Sequence, residues 1–360
     1  MIPKYQQLAD ALRKQLTAGA FGGTGKLPTE EKLRGLYGVS RQTVRQALAV
    51  LEEEGLIRRR QGSGAYATGL HPDSAHNQIA VLLPSDSDYT YARLRSGLLV
   101  PLTKEGFAVS FYLTGYSIAK ERLILESLCE KPPRGMIVEP VKNALPNPCL
   151  DLYERLWEKQ CATVFLHGGY ENFPPRPVLL DDDVGGGYLL AERLLALRHT
   201  RIGAVLCCDT RAGAHRYLGF ARACAEAGVP CEDGRIGWYT SDQLFDLQKK
   251  QDTGFLADYI SKKLGSCSAV ICQDDEIAYW LVRELTHAGF HVPQDVSVAG
   301  FDNSFLCKFC EPALTSLARR PPETAGAAAN ALLALLRAER PAPVNFRWEL
   351  IVRESTVSLS

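Results

Sequence analysis

The chain lacks the sequence patterns of a secreted protein, a membrane protein and the common hydrolases. No apolar run approaches about 18 residues, the length that spans a bilayer. The first residues show no succession of charged, apolar and small residues typical of a secretory signal. Gly-x-Ser-x-Gly, Walker-type and His-Glu-x-x-His motifs are absent, and Gly185-Gly186-Gly187 is not followed by Lys-Ser/Thr. We therefore expect a cytoplasmic protein with no membrane partner and no enzymatic activity.

The cysteine pattern is not that of a metal centre or a disulfide framework. Eleven cysteines are scattered over 360 residues, and they include one Cys-x-x-Cys, Cys307 to Cys310. A structural zinc site would need a second pair of ligands at similar spacing, which the sequence does not contain. We predict free thiols in a reducing compartment, with no metal and no cofactor.

The charge is balanced over the whole chain but not along it. The chain has 41 basic and 41 acidic residues, and residues 1–70 hold 11 of the basic and 6 of the acidic ones. These 70 residues therefore carry a net charge of +5, and the rest of the chain carries −5. A localised basic segment is complementary in charge to the phosphate backbone of nucleic acid. A chain of 360 residues is also long enough for more than one domain. The distribution predicts a DNA-binding N-terminal part and a larger, acidic body.

Residues 27–66 have the pattern of two short helices followed by a β-hairpin. Thr29 and Ser40 are N-cap residues, each followed by helical periodicity, and Tyr37-Gly38 lies between the two helices. Two short helices this close together are the sequence form of a helix-turn-helix. A Gly-bounded hairpin with Arg58-Arg59-Arg60 on its first strand follows. The whole segment predicts a winged helix-turn-helix.

The second of these helices has one apolar and one polar face. Four apolar residues are spaced i, i+3, i+4 and i+7: Val44, Ala47, Leu48 and Leu51. This spacing predicts a single buried stripe. Four polar residues lie on the other face: Arg41, Gln42, Arg45 and Gln46. We expect this polar face to enter a DNA groove.

Residues 2–68 resemble the DNA-binding domain of the GntR family of bacterial transcription regulators. The resemblance rests on four segments: Pro3-Lys4-Tyr5, Leu27-Pro28-Thr29-Glu30, Ser40-Arg41-x-Thr43-Val44-Arg45 and Gln61-Gly62-Ser63-Gly64. The wing departs from the family's usual Gly-x-Gly-Thr because Ala65 follows Gly64, which removes one possible hydroxyl contact to phosphate. The resemblance implies that double-stranded operator DNA is the partner. It implies DNA contacts from Lys4, Tyr5, Thr29, Ser40, Arg41, Gln42, Thr43, Arg45, Gln61, Gly62, Ser63 and Gly64.

After a polar segment at 70–78, short apolar runs alternate with longer helical patterns. The predicted strands are 79–84, 107–113, 135–138, 163–166, 202–206, 269–272 and 296–299. The predicted helices include 118–130, 183–197, 213–228 and 275–289. The alternation predicts right-handed βαβ units on a parallel sheet, with ligand groups at the carboxyl ends of the strands. About 280 residues of such units exceed one sheet, so we expect two lobes with a cleft between them.

The fold class is therefore α/β: an N-terminal winged helix-turn-helix followed by a two-lobed domain. We predict a DNA-binding domain at 1–69, a linker at 70–78 and an effector-binding and dimerisation domain at 79–360.

Most of residues 79–355 resemble the ligand-binding domain of the LacI family and of periplasmic sugar-binding proteins. The matching segments are 182–186, Arg216-x-x-Gly219-Phe220, 274–278, 292–302 and 314–316. Segments 137–140 and 349–355, together with the GntR-type head, resemble repressors of arabinose utilisation. The resemblance implies a homodimeric repressor of sugar-utilisation genes that a small carbohydrate releases from operator DNA. Arabinose is the first candidate, and other pentoses, sugar acids or an oligosaccharide are alternatives.

The residues at the matching positions suit a polyhydroxylated ligand. Sugar hydroxyls both donate and accept hydrogen bonds, so arginine forks and carboxylates are fitting partners. Aromatic side chains placed in loops would cover the apolar face of a sugar ring. The expected effector-binding residues are Tyr89, Tyr91, Glu139, His167, Arg216, Asp275 and Asp302.

Two departures from the family pattern leave the identity of the effector open. The family usually has Asn-Asp where this chain has Asp274-Asp275, which adds a carboxylate beside the site. Cys207-Cys208 follows a predicted strand at a place where related sequences are more polar. The alternative function is a GntR-headed regulator whose body binds a non-sugar ligand or is a pyridoxal-phosphate aminotransferase-like enzyme.

Overall fold

A computed structural model describes residues 3–17, 26–53, 56–60, 64–67, 77–86, 91–320 and 324–359. The predicted linker falls almost wholly outside the described residues, and so do Gln61, Gly62, Ser63 and Tyr89.

The N-terminal domain consists of three helices and a two-stranded hairpin. Its elements are α1 (Lys4–Thr17), α2 (Glu30–Tyr37), α3 (Arg41–Glu53), β1 (Ile57–Arg60) and β2 (Gly64–Ala67). The strands β1 and β2 are antiparallel, with Ile57 opposite Ala67 and Arg60 opposite Gly64. This arrangement confirms the predicted winged helix-turn-helix.

Local capping explains why two separate helices form in so short a segment. The Thr29 hydroxyl accepts a hydrogen bond from the Lys32 amide at 3.3 Å, and the Ser40 hydroxyl accepts one from the Thr43 amide at 3.1 Å. Between them, Gly38 ends α2 in the left-handed conformation, at φ 61°, and its amide donates to the Arg34 carbonyl. Both predicted N-caps are confirmed.

The core of this domain is the face where α1 and α3 meet. The predicted stripe of α3 is buried throughout: Val44, Ala47, Leu48 and Leu51 are each at most 3% exposed. It packs with Leu8, Ala9 and Leu12 of α1 in one apolar cluster. Arg41, Gln42 and Arg45 are left exposed on the opposite face of α3.

The C-terminal domain is built on eleven strands of the described chain, most of them followed by a helix. The strands are β3 (Gln78–Leu83), β4 (Ala108–Leu113), β5 (Gly135–Val138), β6 (Ala162–Leu166), β7 (Val178–Asp181), β8 (Ile202–Cys207), β9 (Ile236–Tyr239), β10 (Ala269–Cys272), β11 (Ser297–Phe301), β12 (Thr315–Arg320) and β13 (Val344–Ile351). The helices are α4 (Tyr91–Lys104), α5 (Ile118–Glu130), α6 (Leu150–Glu158), α7 (Asp183–Ala196), α8 (Arg211–Glu226), α9 (Ser241–Lys250), α10 (Gly254–Tyr259), α11 (Asp275–His287), α12 (Leu306–Phe309) and α13 (Thr324–Leu336).

The strands form two lobes that share β13. Their spatial order is β4-β3-β5-β6-β7-β13-β12-β11-β10-β8-β9, and every neighbouring pair except β12 and β13 is parallel. Residues 344–346 of β13 pair with β7 in the first lobe, and residues 347–351 pair with β12 in the second. The chain therefore crosses between the lobes after β7, after β12 and along β13.

Each lobe is a sheet covered on both faces by helices, as the alternation of side chains along its strands requires. In the first lobe, Ile79, Val81 and Leu83 of β3 pack with α4 and α13, whereas Ala80 and Leu82 pack with α5 and α6. The second lobe repeats the pattern, with alternate residues of β10 in two separate apolar clusters. All eleven cysteines are unpaired, and nine of them are buried.

Candidate DNA-binding surface and effector cleft

The exposed face of α3 carries two arginines that share one carboxylate. The Nε atoms of Arg41 and Arg45 lie 3.3 Å and 3.1 Å from Oε2 of Glu30, at the start of α2. The two arginine side chains are 66% and 56% exposed, so both are accessible to DNA. Slight burial raises the pKa of Glu30, but the hydrogen bonds and charges of the two arginines outweigh this and lower it. Glu30 thus holds both arginines in place before DNA arrives.

The other predicted DNA contacts lie on several elements of the same domain. Lys4 is exposed and Tyr5 half-buried at the start of α1. The hydroxyls of Ser40 and Thr43 lie 2.8 Å apart at the start of α3, where they are exposed. Gly64 opens β2 at φ 109°, a conformation that favours glycine. Contacts of these residues with DNA stay predictions.

A cavity of about 980 Å³ separates the two lobes at the carboxyl ends of their strands. Its polar lining includes Tyr91, Tyr116, Glu139, Asn143, His167, Asp181, Thr210, Arg216, Ser241, Gln248, Gln273, Asp274, Glu276, Asp302 and Arg319. The size is that of a small-molecule site, and the position is the one expected for an α/β domain.

On the first lobe, Glu139 follows β5 and lies beside Tyr91 of α4. The Tyr91 hydroxyl donates to Oε1 of Glu139 at 3.0 Å. The other carboxylate oxygen, Oε2, is buried and has no hydrogen-bond partner among the described residues. Burial raises the pKa of Glu139, and the nearby His167 and Arg319 offset this only in part. Glu139 therefore has an acceptor free for a ligand hydroxyl.

Four residues from the ends of four strands form a charged network across the floor of the cleft. Nδ1 of His167 lies 2.8 Å from Oδ2 of Asp181, and Nε of Arg319 lies 2.9 Å from Oδ1 of the same carboxylate. Arg319 also donates to Oδ1 of Asp302 at 2.7 Å. Burial raises the pKa of Asp181, but Arg319 and His167 reverse this and hold it well below its usual range. Burial lowers the pKa of His167, but Asp181 more than compensates and the net change is upward.

Arg216 lines the cleft from α8 of the second lobe and is almost fully buried. Its Nε lies 2.9 Å from Oδ1 of Asp183, and its Nη1 donates to the Gln273 carbonyl. Its guanidinium carbon lies 4.0 Å from the centre of the Phe301 ring. The glycine run at the start of α7 explains how α8 comes so close, because a Cβ at Gly187 would lie 2.0 Å from the Arg216 carbonyl oxygen.

Asp275 does not line the cavity, although the sequence pattern placed it among the ligand-binding residues. It is fully buried, and its oxygens accept hydrogen bonds of 2.6 Å from the Ser316 hydroxyl and the Ser304 amide. Burial, together with the charge of Asp302, raises its pKa to about 7. The neighbouring Asp274 lines the cavity instead, because consecutive residues at a helix start point in different directions.

The structure brings Tyr91, Glu139, His167, Arg216 and Asp302 together around the cavity, as expected for one site. Tyr89 lies outside the described residues. The sequence pattern did not single out several further lining residues: Tyr116, Asp181, Gln248, Glu276 and Arg319. Arg319 lies on the same strand as the matching segment 314–316, so the resemblance indirectly indicated that it is near the site.

Hydrogen bonds and ion pairs join the lobes at the rim of the cleft. Lys142 of the first lobe lies 2.7 Å from Oδ2 of Asp242 in the second. Asn143 accepts from the Arg211 amide at 2.8 Å, at the start of α8. The Ser85 hydroxyl donates to Gln248 at 3.0 Å. The cleft is therefore closed across its rim.

Strained backbone marks the loops that carry the cleft residues. Tyr116, Lys142, His167 and Asp302 all have positive φ, at 58°, 51°, 56° and 93°. Non-glycine residues seldom adopt this conformation, and strain of this kind clusters at functional sites. Tyr116, His167 and Asp302 line the cavity, so part of this unusual backbone geometry belongs to the candidate site.

In the described part of the chain, no group of three or more His, Cys, Asp or Glu side chains is arranged to hold a metal ion. None of the described helices is long and apolar enough to span a membrane.

Both domains match known families. Residues 4–66 match the family described as bacterial regulatory proteins, gntR family, and residues 191–356 match a periplasmic binding protein-like domain. The chain is 29% identical over 360 residues to the arabinose metabolism transcriptional repressor of Geobacillus stearothermophilus, covering 99% of this chain and 98% of that protein.

Two solved structures share the fold. The transcription regulator GntR from Chromobacterium violaceum has a TM-score of 0.65 at 22% identity, over 78% of this chain and 99% of that chain. A LacI family transcriptional regulator from Enterococcus faecium, with bound ribose, has a TM-score of 0.64 at 24% identity, over 79% and 100%. At these identities the likeness concerns the fold alone.

The chain is therefore a DNA-binding transcription regulator and not an enzyme. It consists of a GntR-type winged helix-turn-helix and a two-lobed domain of the periplasmic-binding-protein type, the architecture that the sequence predicted. The pyridoxal-phosphate aminotransferase-like body that the sequence left open as an alternative is thereby excluded.

Proposed function

We propose that the protein represses sugar-utilisation genes and leaves its operator when a small carbohydrate binds in the cleft. The observation that carries this proposal is the convergence of hydroxyl-binding groups from both lobes on one cavity. Glu139 and His167 come from the first lobe, and Asp302, Arg216 and Arg319 come from the second, Arg319 from its strand β12. Such a set binds a ligand that offers donors and acceptors on all sides, as a sugar does.

Arabinose is the first sugar to test, because the similar protein of Geobacillus stearothermophilus is named as an arabinose repressor. The cavity is large enough for a monosaccharide of any kind. A non-sugar ligand is the second candidate, and the same experiment addresses it.

The proposed mechanism couples cleft closure to the geometry of a dimer. A sugar that binds both walls favours the closed cleft by its difference in affinity for the closed and open states. We propose that the chain forms a homodimer through residues 79–360 and acts in the cytoplasm on a pseudo-palindromic operator. Closure then changes the separation of the two DNA-binding domains, at 1–69, which must match half-sites spaced by the helical repeat of DNA.

A thermal-shift screen against a panel of sugars and non-sugar metabolites tests the proposal. A ligand at about 100 times its dissociation constant adds roughly 2.7 kcal/mol to the free energy of unfolding, which moves the melting temperature measurably. The sugar found in this way should release a fluorescent operator duplex in an anisotropy titration. A sugar that stabilises the protein without changing its operator affinity contradicts the mechanism. A non-sugar ligand that stabilises the protein and also releases the operator would show that the effector is not a carbohydrate.

A further inference from the structure

One part of the cleft carries more negative charge than a neutral sugar requires. Asp274 and Glu276, at the start of α11 in the second lobe, line the cavity and are here called the acidic wall. Their hydrogen-bond partners are neutral: the Ile277 amide for Asp274 and the Gln248 amide group for Glu276. Among the described residues, neither of the two forms an ion pair with Lys, Arg or His.

Two of the three arginines that line the cleft are already engaged by other carboxylates. Arg319 is shared between Asp181 and Asp302, and Arg216 is paired with the buried Asp183. Three carboxylates thus occupy these two guanidinium groups, and neither is left for the acidic wall. The third arginine, Arg93, is exposed and forms no ion pair with the acidic wall among the described residues. An ionised carboxylate that is buried without a cationic partner is strongly unfavourable. Either protons or a cationic ligand must supply the missing positive charge.

The hydroxyl of Tyr239 adds an independent sign of a ligand at this wall. Tyr239 lines the cavity and is 1% exposed, yet its hydroxyl has no hydrogen-bond partner among the described residues. A buried hydroxyl seldom stays unpaired in a folded protein. After burial, the charge of Asp274 is the largest influence raising its pKa, and Glu276 contributes as well. The unpaired hydroxyl and the acidic wall thus line the same cavity, and both carboxylates act on the hydroxyl through their charge.

We infer that the effector is a sugar carrying a protonated amino group, whose ammonium binds between Asp274 and Glu276. An ammonium has three N–H donors and no acceptor. Asp274, Glu276 and the Tyr239 hydroxyl oxygen are three acceptors that line the cavity from the second lobe, and the ammonium satisfies the unpaired hydroxyl at the same time. The sugar hydroxyls then face Glu139, Asp302 and Arg319. The inference rests on the proposed sugar-responsive function and narrows its ligand.

The titration behaviour of the acidic wall agrees with this assignment. Burial and the charge of Asp302 raise the pKa of Asp274 to about 6, and burial and the charge of Asp274 raise that of Glu276 to about 7. Near neutral pH the empty wall is therefore partly protonated. A bound ammonium replaces those protons, whereas a neutral sugar does not.

Calorimetry on the full-length chain with matched pairs of sugars tests the inference. The pairs are glucosamine with glucose and galactosamine with galactose, and N-acetylglucosamine serves as an uncharged ligand with a substituent at the same position. Arabinose is titrated in parallel. We expect each amino sugar to bind at least about tenfold more tightly at pH 7 than its neutral partner and than the acetylated form, a difference of about 1.4 kcal/mol.

Two conservative variants test where the amino group of the sugar binds. Asp274→Asn and Glu276→Gln remove charge while keeping shape, and Asn retains the N-cap of α11. Each should reduce the ratio of amino-sugar to neutral-sugar affinity about tenfold. Glu284→Gln lies on the same helix but away from the cavity, and it should leave the ratio unchanged.

The outcomes separate this inference from the proposed function. If arabinose or another neutral sugar binds and its amino counterpart binds no better, the inference is overturned and the sugar-responsive function stands. If amino sugars are preferred equally by Asp274→Asn, Glu276→Gln and the unaltered protein, the ammonium does not lie at this wall. If no sugar of either kind binds, the proposed function fails and the inference fails with it.

Discussion

Arg216 on α8 and Asp183 on α7 form a buried ion pair across the packed helices of the second lobe. Nε of Arg216 lies 2.9 Å from Oδ1 of Asp183, and both side chains are about 5% exposed. Arg216, which the sequence predicts to bind the sugar, thus also forms an ion pair between two packed helices. Its replacement changes both the site and the stability of the lobe.

The first prediction follows from this double role. Arg216→Ala should abolish the sugar response, and it should also lower the free energy of unfolding by about 3–5 kcal/mol because Asp183 is left buried without a cation. Urea denaturation measures the second effect and calorimetry with the effector the first. Adding Asp183→Asn to Arg216→Ala should recover part of the stability but none of the response. Unchanged sugar affinity in Arg216→Ala would remove Arg216 from the site.

A second prediction concerns base recognition by α3. Arg45→Ala should weaken operator binding by about 1–3 kcal/mol and relax the preference at one base pair in each half-site, because an arginine fork reads guanine. Lys4→Ala and Arg41→Ala should weaken binding to all sequences alike and flatten its salt dependence. Anisotropy titrations with operator and scrambled duplexes at several salt concentrations distinguish the two classes. Full selectivity in Arg45→Ala would contradict the assignment of α3 as the reading helix.

Glu30 supplies a third prediction, because it holds Arg41 and Arg45 through its carboxylate. Glu30→Gln should raise affinity for non-operator DNA, since a negative charge near the phosphates is removed and two arginines are released. The ratio of operator to non-operator affinity should fall severalfold, as the arginines lose their fixed direction. The neighbouring Glu31→Gln serves as a control for net charge. A ratio that falls equally in both variants would show that charge alone matters.

The buried carboxyl of Asp275 makes a fourth prediction about pH. Its pKa in the folded protein is about 7, against an ordinary value of 3.8, so the folded state binds the proton more tightly than the unfolded chain does. The resulting stabilisation is complete below about pH 4 and is lost as the pH rises through 7. Asp275→Asn should therefore flatten the pH dependence of the free energy of unfolding in this window. At pH 8 it should stabilise the protein by roughly 1–3 kcal/mol, since one pKa unit corresponds to about 1.4 kcal/mol.

Urea denaturation between pH 4 and pH 8 checks this prediction. Asp258→Asn, whose side chain is 66% exposed, is the matched control and should follow the unaltered protein. Parallel curves for the unaltered protein and Asp275→Asn would contradict the prediction.

The fifth prediction tests the division of the chain. Residues 79–360 alone should fold, dimerise and bind the effector, because the two lobes have apolar clusters of their own. Residues 1–70 alone should bind operator DNA much more weakly than the full chain, since the avidity of paired domains is lost. Analytical ultracentrifugation and anisotropy measure these outcomes. A fragment 79–360 that is unfolded, or that binds no sugar bound by the full chain, would contradict this division.

The sequence predicted seven of the eleven strands described in the C-terminal domain, most of them continuous apolar runs, and missed β7, β9, β12 and β13. The runs at 79–84, 135–138 and 269–272 became β3, β5 and β10 because parallel strands covered on both faces must be apolar throughout. β12 is half polar, since its last residues form the floor of the cleft. In β13, polar residues alternate with the apolar residues Val344, Phe346, Trp348 and Leu350. This period of two is typical of a strand, although no strand was predicted here.

The candidate site was predictable at the level of segments but not of single side chains. Segments 137–140, 216–220 and 292–302 each contribute to the lining of the cleft, through Glu139, Arg216 and Asp302. The choice between Asp274 and Asp275 depends on the direction in which a helix begins, which the sequence pattern does not specify. The ion pair of Arg216 with Asp183 and the sharing of Arg319 between two carboxylates depend on how the lobes pack.

The strand β13 belongs to both lobes, and its change of partner falls between Phe346 and Arg347. Phe346 is fully buried in the first lobe. Two residues further along, the centre of the Trp348 ring lies 4.8 Å from the guanidinium carbon of Arg319, and this ring also packs against Phe301. A strand segment that connects the lobes therefore lies directly beside the binding floor. Under the proposed mechanism, a ligand in the cavity acts on this connection directly, and the signal needs no chain of intermediate residues to reach it.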